Sequence, residues 1–179
     1  GYARRRRTDG VVVVSDVAGA LVPTAESGDE PQMLARGLRG VPVLVCADRH
    51  LAGRLAERRF GATVVLLDDG FQHLRLARDV DLLVVAADDL DECVLPMGRL
   101  RDPLDAAGAA DAVIVTGAED PSAVGEWLGI AAAFAATPTY GALARVEPYG
   151  QQETLPLGAR VAAMAGIARP SRFFDVLRA

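Results

Sequence analysis

Residues 63–73 read Thr-Val-Val-Leu-Leu-Asp-Asp-Gly-Phe-Gln-His and concentrate the groups that could do chemistry. An apolar, β-branched run ends in two adjacent carboxylates, Asp68 and Asp69, with Gly70, Gln72 and His73 just behind. Neighbouring carboxylates either repel or share a hard cation, and Mg²⁺ is the usual resolution. A plain turn accounts for Asp68 and Gly70, since Asp and Gly are turn residues. It does not account for Asp69, Gln72 or His73. His73 alone is a weak signal, strengthened by its nearness to the pair. Gln72 suits a hydrogen bond to a phosphate or a substrate hydroxyl, or a tie within its own loop.

These groups need a frame. The run at 63–67 reads as a buried parallel strand. The carboxyl ends of such strands are where open α/β sheets place their ligands. A strand-end carboxylate pair is also like the Walker B arrangement, which holds Mg²⁺ beside nucleotide phosphates. Asp29 is the second candidate. It stands before Glu30-Pro31, where Asp suits a helix cap and acidic residues suit a first turn. Its helix feeds the strand expected at 41–46. In a parallel sheet that helix begins at the edge where the strands end, so Asp29 and Asp68 are expected on one rim. A carboxylate there, not bound to metal, can take a proton from an attacking hydroxyl.

Strands are expected at 11–15, 41–46, 63–67, 81–86 and 112–116. Helices are expected at 29–40, with Met33, Leu34 and Leu38 as apolar face, at 49–59 and at 121–128. The alternation predicts an α/β layer fold with right-handed crossovers. Segments 140–146 and 153–157 flank Pro148-Tyr149-Gly150 and read as a hairpin. A strand at 160–165 and a helix from Pro170 follow.

Composition narrows the function classes. The 179 residues are 51% hydrophobic and 24% charged, so the chain should fold. A net charge of −5 argues against nucleic acid as partner. All 19 basic residues are Arg, so no P-loop lysine comes from these residues. Arg4–Arg7 is either a phosphate- or lipid-facing cluster or a solvated run. Arg75, Arg78, Arg99 and Arg101 are candidate phosphate contacts or partners for Asp79, Asp81 and Asp102. Cys46 and Cys93 form no metal or disulfide pattern, and Cys46 reads as a small buried hydrophobe. No run approaches the roughly 20 apolar residues of a spanning helix. The sequence opens at Gly1 without Met and stops at Ala179 within an expected helix, which reads as a piece of a longer protein.

Several segments together resemble one family. Leu67-Asp68-Asp69-Gly70-Phe71-Gln72-His73, continuing to Asp79, resembles the signature of the tetraacyldisaccharide 4'-kinases, the lipid A 4'-kinases. Gly28-Asp29-Glu30-Pro31 is similar to a Gly-Asp-Glu-Pro element of that family. Gly1-Tyr2 with the Arg run, Leu95 to Pro103, and Ala165 to Pro170 with Phe173-Phe174 resemble further segments in the same order. In Leu95 to Pro103, Asp102 stands where the family has Glu.

The resemblance implies a P-loop NTPase-like, mostly parallel α/β core over 1–139. It implies a β-hairpin linker over 140–158 and the start of a smaller α/β domain over 159–179. It implies ATP-dependent phosphorylation of the 4'-hydroxyl of a tetraacyldisaccharide 1-phosphate. The setting is lipid A synthesis at the cytoplasmic face of the bacterial inner membrane, with peripheral membrane contact. Asp29 is then the catalytic base, Asp68 and Asp69 the Mg²⁺ and phosphate-site carboxylates, and Gln72, His73 and Glu30 further active-site groups. The family's Gly-Gly-Thr-Gly-Lys-Thr loop and Asp-His-His element are not in these residues, so the 179 residues alone are expected to be inactive. Two other readings stay open. One is a metal-dependent phosphohydrolase using Asp68, Asp69 and His73. The other is a non-catalytic binding domain.

Overall fold

The computed structural model describes residues 9–139, 159–164 and 170–178. The chain divides into two units, Gly1–Asp81 and Leu82–Ala179.

In the first unit, β1 (Val12–Ser15) pairs antiparallel with β2 (Val43–Val45). This differs from the parallel crossover expected between these strands. The register shifts between Val13 and Ser15. There the buried Ser15 hydroxyl accepts from Val43 N at 3.2 Å and reaches the Val41 carbonyl at 3.4 Å, bridging the irregularity. Helices α1 (Thr24–Ser27) and α2 (Asp29–Gly37) pack on β1, α2 also on β2, and α3 (Arg49–Phe60) on β2. The core is Val14, Ala35 and Val45, flanked by Val12, Val22 and Val43.

Helix α3 begins where Asp48 accepts from His50 N at 2.9 Å and Leu51 N at 3.2 Å, satisfying two amide groups the helix cannot. It ends at Gly61 in the left-handed conformation. Helix α2 departs from expectation. Its buried side chains are Gln32 and Ala35, while Met33 is 60% exposed and Leu38 lies past its end. Position 33 carries a larger apolar side chain than position 35, yet the small Ala35 is what fits against Val14 and Val45.

The larger correction concerns 63–67. No strand forms there, and Val64, Val65 and Leu66 are 75%, 46% and 88% exposed. A β-branched run becomes a strand only when a neighbour completes its hydrogen-bond ladder. Among the described residues, none pairs with it.

The second unit carries a parallel sheet in the order β3-β4-β5, formed by Leu82–Ala86, Ala112–Thr116 and Ala132–Ala136. The register runs unbroken from Leu82 opposite Ala112 to Thr116 opposite Ala136. Central β4 is the most buried strand, with Val113 and Val115 at 0% and 1% exposure, as β-rich apolar runs in parallel sheets are. Strand β5, Ala-Ala-Phe-Ala-Ala, is not foreseen from sequence, because alanine carries no strand preference. Pairing with β4 makes it a strand. Helix α4 (Pro121–Leu128) starts at its proline, as expected. Asp120 caps it, accepting from Ser122 N at 2.9 Å and Ala123 N at 3.4 Å. Val124, Leu128 and Ile130 close the core beneath it.

The hairpin expected over 140–158 lies outside the described residues, as does 165–169. Residues 159–164 form no strand and are exposed, unlike the strand expected there. Helix α5 (Pro170–Arg178) begins at Pro170, as expected, and its Phe173 and Phe174 rings meet edge to face.

Candidate functional site

The acidic loop is built by turns rather than by a strand end. Asp69 has φ of 54°, the one positive value at a non-glycine among the described residues. Asp tolerates this left-handed conformation better than most residues. Gly70 follows because nothing larger fits: a Cβ there would lie 2.7 Å from Leu67 Cβ. His73 N donates to the Gly70 carbonyl at 2.9 Å, Leu74 N to Gln72 at 3.0 Å and Leu76 N to His73 at 3.1 Å. The chain thus coils tightly from 67 to 76. Asp68, Asp69 and Gln72 are exposed, and His73 is half-buried. The loop therefore presents two adjacent carboxylates and an amide to solvent from one tightly wound segment.

Arg78 closes this loop. Its Nε and Nη2 donate to Asp81 Oδ1 and Oδ2 at 2.5 and 3.0 Å, while Nη1 donates to the His73 carbonyl at 2.7 Å. The Asp81 hydrogen bond pushes the guanidinium further above its ordinary pKa. Of the two roles open to Arg78 from sequence, pairing with Asp81 is the one the structure realises. Arg99 likewise pairs, with Asp89 at 3.2 Å and Glu92 at 2.6 Å. It stands in the Leu95–Pro103 segment, where Gly98 packs directly on the Cys93 backbone.

Asp29 and Glu30 open α2, both exposed. Asp29 is not the cap expected from sequence. Gly28, at φ 91°, takes that position and makes no side-chain cap. Glycine is the residue that adopts this φ without strain, and it allows α1 to turn straight into α2. Asp29 is left in the first turn, where the helix end favours negative charge, with its carboxylate not used as a cap. Beneath the turn, Ser27 is fully buried, its hydroxyl 3.0 Å from Gln32 Oε1 and 3.0 Å from the Gly28 carbonyl. Sequence reasoning missed this pair. Its signal was a glutamine three residues before Ala35 on one helix face.

The ladder expected to bring Asp68 onto the rim with Asp29 is not formed, because 63–67 is not a strand. Asp68, Asp69, Gln72 and His73 share one loop, and Asp29 and Glu30 a helix start in the same unit. No group of three or more His, Cys, Asp or Glu is arranged for a metal among the described residues.

Parallel strands with a covering helix and short acidic loops put the chain in the α/β class expected from sequence. A family model described as tetraacyldisaccharide-1-P 4'-kinase matches residues 1–179. The chain is 44% identical over 160 residues to the tetraacyldisaccharide 4'-kinase of Koribacter versatilis, covering 86% of this chain and 46% of that one. It is 41% identical over 178 residues to the tetraacyldisaccharide 4'-kinase of Geobacter metallireducens, covering 93% and 50%. Its fold matches LpxK from Aquifex aeolicus, crystallised in complex with ATP, with a TM-score of 0.59 and 38% identity over 63% of this chain and 36% of that one. The chain belongs to the tetraacyldisaccharide 4'-kinase family, and it spans about half the length of the curated relatives it matches.

Proposed function

We propose that the protein carrying these residues transfers the γ-phosphoryl group of ATP to the 4'-hydroxyl of a tetraacyldisaccharide 1-phosphate. The observation that carries the proposal is the wound loop at 67–76, which sets Asp68 and Asp69 side by side and exposed in a chain of this family. Phosphoryl transfer asks little covalent work of a protein, so positioning and charge supply most of the catalysis.

The donor set suits Mg²⁺. This ion is held by one or two carboxylates and completed by waters and substrate phosphates, and the loop offers the two carboxylates of Asp68 and Asp69. When bound, Mg²⁺ offsets the negative charge of the phosphates. Asp29 accepts the proton of the attacking 4'-hydroxyl, which frees the oxygen to attack phosphorus. It sits exposed in the first turn of α2, where Gly28 and not Asp29 is the cap. Gln72 and Glu30 orient the nucleotide, and His73, half-buried in the same coil, acts with the acidic pair. An acylated substrate places the work at a membrane surface, the cytoplasmic face of the inner membrane, by peripheral contact. No helix among the described residues is long and apolar enough to cross a membrane. Segments 140–158 and 159–179 serve as linker and start of a second domain.

The test uses the complete protein with ATP, Mg²⁺ and the lipid disaccharide. Asp29→Asn should lower kcat by roughly 100-fold or more while leaving KM for ATP near its original value. Asp69→Asn should abolish transfer. Unchanged turnover in either variant rejects the role given to that residue. Release of phosphate without transfer to lipid would favour the phosphohydrolase reading.

A further inference from the structure

We propose that Arg78 is a positioning residue for the acidic loop, holding the backbone at His73 so that the segment carrying Asp68, Asp69 and His73 keeps one conformation. The inference rests on the phosphoryl-transfer reading of that loop.

The geometry is specific. The Asp81 carboxylate takes Nε and Nη2 at 2.5 and 3.0 Å. A bidentate grip of this kind fixes the plane of the guanidinium. With the plane fixed, Nη1 points at the loop, 2.7 Å from the His73 carbonyl and 3.4 Å from that of Leu76. The Arg78 and Asp81 side chains are only 16% and 20% exposed, so water competes poorly for these bonds. His73 is thereby held at both ends of its backbone: its N–H by Gly70 at 2.9 Å and its carbonyl by Arg78. The coil has no strand ladder to brace it, since 63–67 pairs with nothing among the described residues. A lysine supplies a point charge without the planar fork and cannot serve carboxylate and carbonyl together.

An ion pair that merely stabilised the unit would leave a different trace from one that positions the loop. The experiment measures kcat, KM for ATP and the unfolding midpoint of the complete protein in four forms: wild type, R78K, the swap R78D/D81R, and D69N as a control for the loop's role. R78K should lower kcat by roughly 10- to 100-fold with KM for ATP within about twofold, the size of effect a displaced catalytic group produces. The swap should recover unfolding stability while kcat stays low, because an aspartate at 78 cannot donate to the His73 carbonyl. If R78K does not fold, the swap carries the test alone. Wild-type kcat in R78K, or recovery of kcat with stability in the swap, would overturn the inference while D69N remains inactive. Full activity in D69N would instead overturn the reading of the loop itself.

Discussion

Gly70 lies so close to Leu67 that a Cβ on residue 70 would stand 2.7 Å from Leu67 Cβ. The clash is with the root of the leucine side chain, which no rotamer change can move. Gly70→Ala should therefore destabilise the fold by about 1–3 kcal/mol and depress phosphoryl transfer. Trimming to Leu67→Ala in the same chain should not restore activity, because alanine keeps its Cβ. Urea unfolding and turnover of the single and double variants check both statements.

Asp69 combines a charge with a left-handed backbone, φ 54°. The two properties separate by substitution. Asp69→Gly relieves the conformation and Asp69→Ala does not, so the glycine variant should be the more stable by about 1 kcal/mol. Both should lack activity, since both lose the carboxylate. Equal unfolding midpoints would show that the backbone at 69 carries no strain.

Ser27 is buried against Gln32 and the Gly28 carbonyl. Removing its hydroxyl leaves the Gln32 amide in the interior with a lost partner, which costs about 1–3 kcal/mol. Ser27→Ala should show that loss in chemical denaturation. Since Gly28 and Asp29 follow directly, kcat should fall further than ATP affinity. A second change, Gln32→Met, should return part of the stability by removing the stranded amide.

Asp120 accepts from Ser122 N and Ala123 N at the start of α4. Asp120→Ala should cost about 1 kcal/mol through the lost cap. Catalysis should be unaffected, because Asp120 belongs to none of the loops proposed to act. A fall in kcat at a temperature where the variant is fully folded would contradict this.

How much was legible varied with how local the cause was. The helix starts at Arg49 and Pro121 and the run at 112–116 read correctly, because β-branching and a proline's fixed φ act over a few residues, whereas the caps at Asp48 and Asp120 came only with the structure. The face of α2 did not read correctly. Met33 is the more hydrophobic residue, but Ala35 is what the space between Val14 and Val45 admits. Strand β5 was invisible for the same kind of reason: Ala-Ala-Phe-Ala-Ala becomes a strand only beside β4.

What the sequence determined by itself is the chemistry on offer. Adjacent Asp68 and Asp69, a turn glycine behind them, and an acid at a helix start are fixed by residue type and spacing. Tertiary structure decided how those groups are held. It withheld a ladder from 63–67, wound 67–76 into turns, moved the cap from Asp29 to Gly28, and set the Arg78 guanidinium against His73 and Asp81. The physical reason is that a hydrogen-bond ladder and a guanidinium clamp each need a partner the local chain does not supply. Their formation depends on what folding brings near, and no window of sequence contains that.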